Sequence, residues 1–563
     1  MTASPSANSP AANTATAKQA IAAARAVVNQ SLTNIRLSCL DGKSVSPAKL
    51  EQQQWVSFDL ARSAAELAAA EHTLEYAAQA NTSGSGELEA SIACAYTAEM
   101  FNNLRARLAP RLRDFQLPGD VLETSLGDTA ILQWVAEQSS VENIVALGDS
   151  IRASDGHLGA SVLDQEHQFM AETFGRFAID VVDPLAEHIH RNDADIPDDI
   201  LDPLKEMGVF GLSVPEQYGG LQPDDREDNM GMIVVTESLS RGSLGAAGSL
   251  ITRPEILAKT LLAGGTDQQK QQWLPKLATG EIFNAIAVTE PDYGSDVAGI
   301  KLPATKVDGG WSLTGAKTWC TFCGKANVML VLARTDPDPA AKHRGLTVLL
   351  VEKPSYPGHE FEHRQDGGGY MRAKAIPTIG YRGMHSFEVY FENYFVPDAN
   401  VVGGEAGIGK GFYHVMKGFS GGRIQTAARA VGLMQSAFEK ALGYANDRKV
   451  FGSAIGDYQL TRVKLARMGM LLQVSRQFTY AVGRLLDKGE GQMEASLVKF
   501  LTCNIAEWVT REALQIHGGM GYAEETAVSR YFVDARVLSI FEGAEETLAL
   551  KVIARNLIEN AGS

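Results

Sequence analysis

The sequence predicts an α+β protein of several domains, in which helical domains precede and follow a central β-domain. Apolar residues recur at three- and four-residue spacing from about Lys18 to Gly280, as expected for helices. From Phe283 short β-branched and aromatic runs bounded by Gly, Pro and Asp take over, which is typical of strands. Helical spacing returns from Gly411 to the end. A chain of 563 residues can hold three or four such domains.

Composition divides the helical sequence that precedes the β-domain into separate segments. The first 40 residues contain no Asp or Glu and begin with an Ala/Ser/Asn/Pro-rich run, which favours a disordered tail leading into a helix. The Ala/Leu/Glu-rich sequence that follows is interrupted by the turn-like "NTSGSG" at 81–86. It contains no recognisable catalytic or binding motif. The predicted segments are a disordered tail (1–16), an N-terminal helical extension (17–150), an α-helical domain (160–282), a β-domain (283–402) and a C-terminal four-helix bundle (405–563).

Charge and cysteine usage narrow the possible partners. The formal net charge of −16 repels nucleic acid and anionic membranes, so we expect neither as a partner. No run of about 18 or more apolar residues predicts a membrane helix. Five cysteines in so long a chain form no disulfide framework, which favours a reducing compartment, and we expect a cytoplasmic protein.

Two short sequence patterns are candidates for metal binding or redox chemistry. His359-Glu360-Phe361-Glu362-His363 fits the zinc-hydrolase pattern, which requires a helix to present both His one turn apart. Pro357-Gly358 before it and a glycine run after it lie in strand-rich text, so we expect no metal here. Cys320 and Cys323 could form a redox pair, but without a second pair to complete a zinc site two buried thiols are the simpler interpretation.

A further stretch indicates a ligand pocket in the β-domain. "AVTEPDYGSDVAG" (287–299) joins a strand to a turn and supplies the Thr289 and Ser295 hydroxyls beside Gly294, where a ligand can approach the backbone closely. Further on, Trp319 and Thr321 alternate with a cysteine, and alternate residues of a strand face the same side. An indole face and a hydroxyl pointing together suit a flat heteroaromatic ring.

Six blocks in order make the chain resemble the acyl-CoA dehydrogenase family of FAD flavoproteins. They are "VFGLSVPEQYGGL" (209–221), "AVTEPDYGSDVAG" (287–299), "GAKTWCT" (315–321), "ANDRKVFGSAIGDYQL" (445–460), "ALQIHGGMGY" (513–522) and "SIFEGAEE" (539–546). The resemblance implies the family's fold: a helical domain, a β-barrel or sandwich domain that covers the flavin, and a C-terminal four-helix bundle.

The resemblance also implies which residues bind FAD. Thr289 matches the residue at the flavin's pyrimidine end, Trp319 the indole packed against the ring, and Thr321 the donor to flavin N5. Other matched positions meet the adenine dinucleotide of a neighbouring subunit, which implies a homodimer or homotetramer with a shared site. The implied FAD positions are Ile286, Val288, Thr289, Ser295, Trp319, Thr321, Arg448, Phe451, Gln459, Gln515, Gly518, Gly519, Ala544 and Glu546. Two of them, Ile286 and Ala544, lack hydroxyls found in relatives, which could shift cofactor affinity.

The catalytic base of the family falls on Glu542 of "SIFEGAEE". Some branches place the base on an earlier helix, directly before an arginine, but the matching position here is Gly422. The resemblance therefore implies that Glu542 removes the α-proton of an acyl thioester while hydride moves from the β-carbon to flavin N5. Gly543 lets the substrate pass close to the chain.

The substrate follows from a narrower resemblance. The N-terminal extension and "TRPEILAKTLLAGGT" (252–266) are most similar to the branch that oxidises (2S)-methylsuccinyl-CoA to mesaconyl-CoA in the bacterial ethylmalonyl-CoA pathway, with an electron-transferring flavoprotein as acceptor. Arg253 is the candidate to bind the free carboxylate of the substrate. A salt bridge to a surface acid would explain this arginine equally well. Arg423 matches an arginine beside the CoA channel, or forms a helix-face ion pair, and Ser295 lies near the pantetheine arm. Alternatives are another short or branched acyl-CoA dehydrogenase, a zinc hydrolase, and an inactive acyl-CoA-binding scaffold.

Overall fold

The computed structural model of the chain describes residues 10–82, 86–419 and 421–562. These residues form two units. The first unit contains the described residues up to Phe169 together with those from Leu433 onward, and the second contains Met170–Gly432. Among the helices of the described ranges, none combines the length and the apolar character needed to cross a membrane.

The N-terminal extension is helical from Pro10. Its elements are α1 (Pro10–Cys39), β1 (Leu40–Asp41), β2 (Ser44–Val45), α2 (Pro47–Glu51), α3 (Gln54–Asn81), α4 (Glu87–Leu108), α5 (Val121–Thr124), α6 (Thr129–Gln138) and α7 (Val141–Ala153). Residues 10–16 therefore differ from the predicted disordered tail, because α1 begins before that segment ends and soon buries Ala17 and Ala20. Residues 1–9 of that tail, and 83–85 of the predicted turn, lie outside the described residues.

The helical domain in front of the strands supplies six helices. They are α8 (Gln165–Phe177), α9 (Asp183–Arg191), α10 (Asp198–Glu206), α11 (Asn229–Gly242), α12 (Thr252–Gly264) and α13 (Asp267–Ala278). A capping box fixes the start of α13, where the Thr266 hydroxyl accepts from the Gln269 N–H and the Gln269 side chain accepts from the Thr266 N–H.

The β-domain consists of two sheets. Its strands are β3 (Asn284–Ala287), β4 (Ala304–Val307), β5 (Gly310–Thr321), β6 (Val328–Arg334), β7 (Leu346–Glu352), β8 (Glu360–Arg364), β9 (Tyr370–Ala375) and β10 (Ser386–Pro397). The larger sheet is antiparallel in the order β4-β5-β10-β9-β8, and the smaller one has the order β3-β6-β7. The smaller sheet is buried on both faces, since one face joins the β-core and the other packs on α12 and α13.

The C-terminal part returns to helices. Its elements are α14 (Gly411–Gly418), α15 (Gly422–Asp447), β11 (Lys449–Val450), β12 (Ser453–Ala454), α16 (Gln459–Leu486), α17 (Gln492–His517), α18 (Gly519–Tyr522), α19 (Ala527–Leu538), α20 (Glu545–Thr547) and α21 (Arg555–Asn560). The chain is thus the mixed fold that the sequence predicts: an N-terminal helical domain, a central β-domain and a C-terminal helical domain.

Within the first unit the N-terminal extension and the C-terminal helices share a core. The helices α3 and α4 pack on α16, and α3 also packs on α17. The Gln473 side chain donates to the Tyr76 hydroxyl at 2.9 Å, and Arg467 pairs with Glu99 at 2.7 Å. A Cβ at Gly148 would lie 2.5 Å from the Arg462 carbonyl oxygen, so α7 approaches α16 at a point where only glycine fits. The N-terminal extension is therefore an integral part of the first unit.

Candidate active site

In the second unit, the end of β5 presents Trp319 on a β-bulge. Two residues of β5, Thr318 and Trp319, lie opposite the single Glu388 of β10. Trp319 has a left-handed backbone (φ +58°) and is 53% exposed, whereas its neighbour Cys320 is fully buried. A bulge re-aims a side chain, and a strained backbone that exposes an indole is a feature typical of ligand sites. The exposed Trp319 and the buried Cys320 fit the predicted alternation, whereas a common pocket for Trp319 and Thr321 stays a prediction.

Two hydroxyl residues of the predicted pocket lie on the backbone segments that adjoin this bulge. Thr321 is half-buried, and its hydroxyl lies 2.9 Å from the Ser386 hydroxyl of β10. The carbonyl oxygen of half-buried Thr289 accepts from the Thr318 N–H at 2.9 Å, which joins the segment after β3 to the bulge. Trp319 and the Thr289 and Thr321 hydroxyls therefore belong to two backbone segments held side by side.

A buried ion pair that the sequence reasoning missed fixes these two segments. The Lys317 ammonium donates to the Glu290 carboxylate at 2.9 Å and to the Val288 carbonyl at 2.9 Å. Burial lowers the pKa of Lys317, although Glu290 opposes that shift. The Glu290 carboxylate also accepts from the Lys301 and Leu302 N–H groups. Removing either partner would leave a buried charge uncompensated, so the pair locks the pocket wall in place.

The remaining pocket candidates of the β-domain lie beside this wall. Ile286 and Val288 are buried, with 7% and 6% of their surface exposed, and line the packed side. Ser295 is exposed in the turn after β3, and next to it a Cβ on Gly294 would meet no atom within 4 Å. The turn therefore leaves open space for a ligand to approach the backbone.

The zinc-hydrolase pattern is not presented on a helix. Residues 360–364 form strand β8, so Glu360 and His363 are not arranged as that chemistry requires. Glu360 pairs with Lys374 at 2.6 Å, and His363 lies 3.0 Å from the Tyr356 hydroxyl. Cys320 and Cys323 are buried free thiols, and burial raises the pKa of Cys323 to about 12, which disfavours the reactive thiolate.

The helical part of the second unit holds the two candidate substrate arginines. Arg253 lies in the first turn of α12 with only 7% of its surface exposed, so its side chain does not belong to a solvated helix face. Arg423 is half-buried in the first turn of α15, directly after Gly422. Both cations are therefore removed from bulk water to a degree that favours pairing with an anion.

A buried carboxylate that the sequence reasoning missed lies beside this turn. Glu255 on α12 is fully buried, and a Cβ at Gly421 would lie 2.0 Å from Glu255 Oε1. Lys259 Nζ lies 3.1 Å from Glu255 Oε1 and 3.1 Å from Glu227 Oε2. Burial raises the pKa of Glu255 despite the ammonium. The i,i+4 spacing of Glu255 and Lys259 was the available signal, but it equally fits a solvated pair.

In the first unit, Glu542 lies in a tight loop between α19 and α20. The residue is half-buried and has a left-handed backbone, with φ +54°. Gly543 follows with φ +105°, and its carbonyl oxygen accepts from the Lys499 ammonium of α17 at 2.6 Å. A non-glycine residue in the left-handed region is strained, and such strain persists only where the surroundings hold it. The loop thus presents the predicted carboxylate from a fixed backbone.

Both ends of this loop are tied to neighbouring helices. The Ser539 hydroxyl donates to Glu507 of α17 at 2.6 Å. At the other end, Glu545 lies 3.6 Å from Arg62 of α3, so the N-terminal extension contacts the loop directly. Ala544 is the residue before α20, and Glu546 is exposed in its first turn. The contact with Arg62 gives the extension a structural link to the candidate base.

The other predicted FAD residues of the first unit lie on its surface. Tyr444 at the end of α15 stacks on His517 at the end of α17, with ring centroids 4.3 Å apart, which brings the two segments together. Phe451 is 99% exposed with φ +50°, and Gly518 has φ +58° with open space around its Cβ position. The exposed candidates are Arg448, Phe451, Gln459, Gln515, Gly518 and Gly519.

Comparisons with known proteins find matches over most of the chain. Family models described as the N-terminal, middle and C-terminal domains of acyl-CoA dehydrogenase match residues 164–281, 285–394 and 409–558. A (2S)-methylsuccinyl-CoA dehydrogenase of Cereibacter sphaeroides is 38% identical over 533 residues, which cover 92% of this chain and 93% of the relative. That match extends into the N-terminal extension.

Solved structures match about seven-tenths of the chain. Butyryl-CoA dehydrogenase from Megasphaera elsdenii superposes with a TM-score of 0.64 and 28% identity, covering 71% of this chain and 99% of the other. A chain in the structure described as "Electron transferring flavoprotein of Acidaminococcus fermentans" superposes with a TM-score of 0.63 and 27% identity, covering 71% and 99%.

Proposed function

The chain belongs to the acyl-CoA dehydrogenase family, and from that premise we propose that it oxidises (2S)-methylsuccinyl-CoA to mesaconyl-CoA. It is an oxidoreductase that acts on a CH–CH group with FAD as cofactor. The observation that carries the substrate proposal is the 38% identical relative, since it matches 92% of this chain, including the extension. The butyryl-CoA dehydrogenase structure matches only 71%.

The residues of the β-domain fit a flavin. An exposed indole on a strained bulge, threonines on the two adjoining segments and an open glycine turn suit a flat ring with polar edges. We assign ring stacking to Trp319, and polar contacts to Thr289 and Thr321. FAD, when bound, accepts the hydride that leaves the β-carbon. The chain itself orients the ring and, through Lys317 and Glu290, keeps the wall behind it rigid.

Glu542 is the proposed general base. The α-proton of a thioester is weakly acidic, so its removal requires a positioned carboxylate and donors that stabilise the charge growing on the thioester oxygen. Glu542 and Gly543 both have left-handed backbones, and the Lys499 ammonium donates to the Gly543 carbonyl oxygen. We assign the Glu542 N–H as a donor to the thioester oxygen. The loop therefore combines a base with a candidate donor for the thioester carbonyl oxygen.

The free carboxylate of methylsuccinyl-CoA needs a desolvated cation. Burying a carboxylate without a partner is costly, so a monocarboxyl pocket would exclude this substrate. We assign Arg253 to that carboxylate because its side chain is almost fully buried on α12, and Arg423 to the CoA end of the thioester. Lys259, further along α12, lies 3.1 Å from both Glu255 and Glu227.

The surface of the first unit supports a flavin site shared between subunits. Phe451 is 99% exposed at the tip of the β11–β12 hairpin, so its ring is available to contact another molecule. We propose that Phe451, together with Arg448 and the Gly518–Gly519 turn, contacts FAD of a second copy in a homodimer or homotetramer. An electron-transferring flavoprotein is the proposed acceptor of the electrons, and the bacterial cytoplasm the proposed location, in keeping with five free cysteines.

The experiment that tests this function is a substrate panel read by the flavin spectrum. The purified protein should be yellow, and anaerobic addition of methylsuccinyl-CoA should bleach it faster than butyryl-, isobutyryl- or glutaryl-CoA does. Preference for another thioester would leave the family assignment intact but reject the substrate. Bound FAD that no thioester reduces would instead support the scaffold alternative.

A further inference from the structure

Four side chains of the second unit, none of them assigned a role in the proposed reaction, lie close together. They form what we call the His–Asp cluster, which comprises Asp193, Asp195, His359 and His385. The Nε2 atoms of His359 and His385 are 3.1 Å apart, and His385 Nε2 is 3.3 Å from Asp193 Oδ1. His359 Nε2 is 4.0 Å from Asp193 Oδ2. Atoms of three side chains that can each bind a metal thus point at one small volume.

The hydrogen bonds of Asp195 determine which nitrogen of His385 faces that volume. One Asp195 oxygen accepts from the Gly358 N–H at 2.6 Å, and the other lies 3.1 Å from His385 Nδ1. A carboxylate only accepts, so Nδ1 carries the proton, and Nε2 of a neutral ring directs its lone pair at His359 and Asp193. A lone pair that faces a carboxylate oxygen is repulsive unless a proton or a cation lies between them.

We propose that His359 Nε2, His385 Nε2 and an Asp193 carboxylate oxygen bind a zinc ion, with Asp195 as the hydrogen-bonded support of His385. Donors about 2.0–2.1 Å from a tetrahedral zinc ion lie roughly 3.3 Å from one another, which matches two of the three separations. His359 Nε2 lies 4.0 Å from the other Asp193 oxygen, Oδ2, so bringing three donors around one ion requires a rotation of His359 or Asp193, whose side chains are 43% and 35% exposed.

The ligand types favour zinc among the divalent ions. Imidazole nitrogens suit zinc and its neighbours in the transition series, whereas magnesium and calcium prefer oxygen ligands. A ligating histidine usually donates its other N–H to a carboxylate, and Asp195 fills that role for His385. Arg382 lies 3.6 Å from Asp193 Oδ1, which is too far for a hydrogen bond. This site shares only His359 with the zinc-hydrolase pattern.

The position of the ligands defines the role of the ion. Asp193 and Asp195 lie between α9 and α10, His359 directly precedes β8, and His385 directly precedes β10. Zinc would therefore tie the helical domain to two strand ends of the β-domain. The His385 carbonyl accepts from the Phe322 N–H at 2.8 Å, and the next residue, Ser386, contacts Thr321. The proposed zinc site thus supports β5, the strand that carries Trp319 and Thr321.

The test measures zinc on the FAD-loaded, full-length protein. Protein freed of metal with a chelator is reloaded with zinc chloride, gel-filtered and analysed by mass spectrometry for metal content and by thermal melting. The wild type should retain a single zinc ion per chain and melt at a higher temperature than its metal-free form. His359→Ala and Asp193→Asn should lose both effects, while Asp195→Asn should weaken zinc binding about 10- to 100-fold.

The matched control is His363→Ala, which removes the histidine near the other end of β8 without touching the cluster. It should retain zinc like the wild type. Because His359 and Asp193 are partly exposed, these variants should keep their FAD content and the melting temperature of the metal-free wild type. Zinc content of the reloaded wild type no higher than that of His359→Ala, or an equal loss in His363→Ala, would overturn the proposal.

Discussion

Glu542 in the first unit and Glu255 in the second are two carboxylates that each lie beside a glycine, and their surroundings differ. Glu542 is half-buried on a strained loop whose next carbonyl is held by Lys499. Glu255 is fully buried within α12, where Lys259 neutralises it at 3.1 Å. Burial raises the pKa of Glu255, which by itself is a common mark of a functional group.

In the function we propose, burial and a shifted pKa do not by themselves identify the catalytic base. A base needs a carboxylate that the substrate can reach on a rigid backbone, whereas a buried ion pair serves packing and constrains its neighbours. We therefore assign proton abstraction to Glu542. Glu255 and Lys259 instead fix α12 against the turn at Gly421, where a Cβ would overlap Glu255.

The largest expected effect is on catalysis. Glu542→Gln keeps the shape of the side chain and removes its basicity, so the rate of flavin reduction should fall about 10²- to 10⁴-fold. Stopped-flow reduction with saturating methylsuccinyl-CoA measures it. Glu525→Gln, an exposed acid of the same C-terminal region, is the control and should reduce at the wild-type rate.

A second prediction concerns stability in the other region. Lys259→Met leaves the buried Glu255 without its cation and should lower the free energy of unfolding by about 3–5 kcal/mol, measured by urea unfolding. Lys270→Met, which removes a lysine 3.6 Å from an exposed aspartate, should cost no more than about 1 kcal/mol. Equal losses in the two variants would show that Glu255 and Lys259 are not a coupled buried pair.

A third prediction separates strain from function in the Glu542 loop. Gly543→Ala forces a Cβ onto a residue with φ +105° and should cost of order 1–3 kcal/mol of stability, with slower flavin reduction. Gly489→Ala imposes similar strain at φ +78° in the turn between α16 and α17. This control should lose stability but keep its rate, and a matching rate loss there would argue against a special role for the loop.

The smallest effect tests the link between the extension and the loop. Arg62→Ala removes a partly exposed partner of Glu545 and should lower the reduction rate only a few-fold, since such pairs are worth about 0.2–1 kcal/mol. The comparison variant Arg25→Ala removes an ion pair within the extension and should leave the rate unchanged. An unchanged rate in Arg62→Ala as well would confine the extension to a packing role.

Periodicity alone made the helix, strand, helix order predictable. It also predicted that Trp319 and Cys320 face opposite sides, because a strand alternates its side chains whatever its partners are. The bulge that exposes Trp319 depends on its register with β10, which no local pattern encodes. The same holds for the docking of the extension, in which Tyr76 and Gln473 meet although they are 397 positions apart.

The candidate site was predictable only where a motif marks it. Glu542 and its glycine belong to a block that resembles the family, whereas Glu290 with Lys317, and Glu255 with Lys259, read as ordinary charges in the sequence. Their role comes from burial, which depends on what packs above them. In the same way, His359 was visible only as part of a helical zinc pattern, while its actual neighbours, His385 and Asp193, are distant in sequence.

The most direct test compares the two carboxylates in one experiment. Glu542→Gln and Glu255→Gln, each loaded with FAD, are mixed anaerobically with methylsuccinyl-CoA, and the loss of flavin absorbance is followed. Our account predicts that Glu542→Gln stays oxidised on the timescale of wild-type turnover, whereas Glu255→Gln is reduced at close to the wild-type rate. Rapid reduction of Glu542→Gln together with an oxidised Glu255→Gln would contradict it.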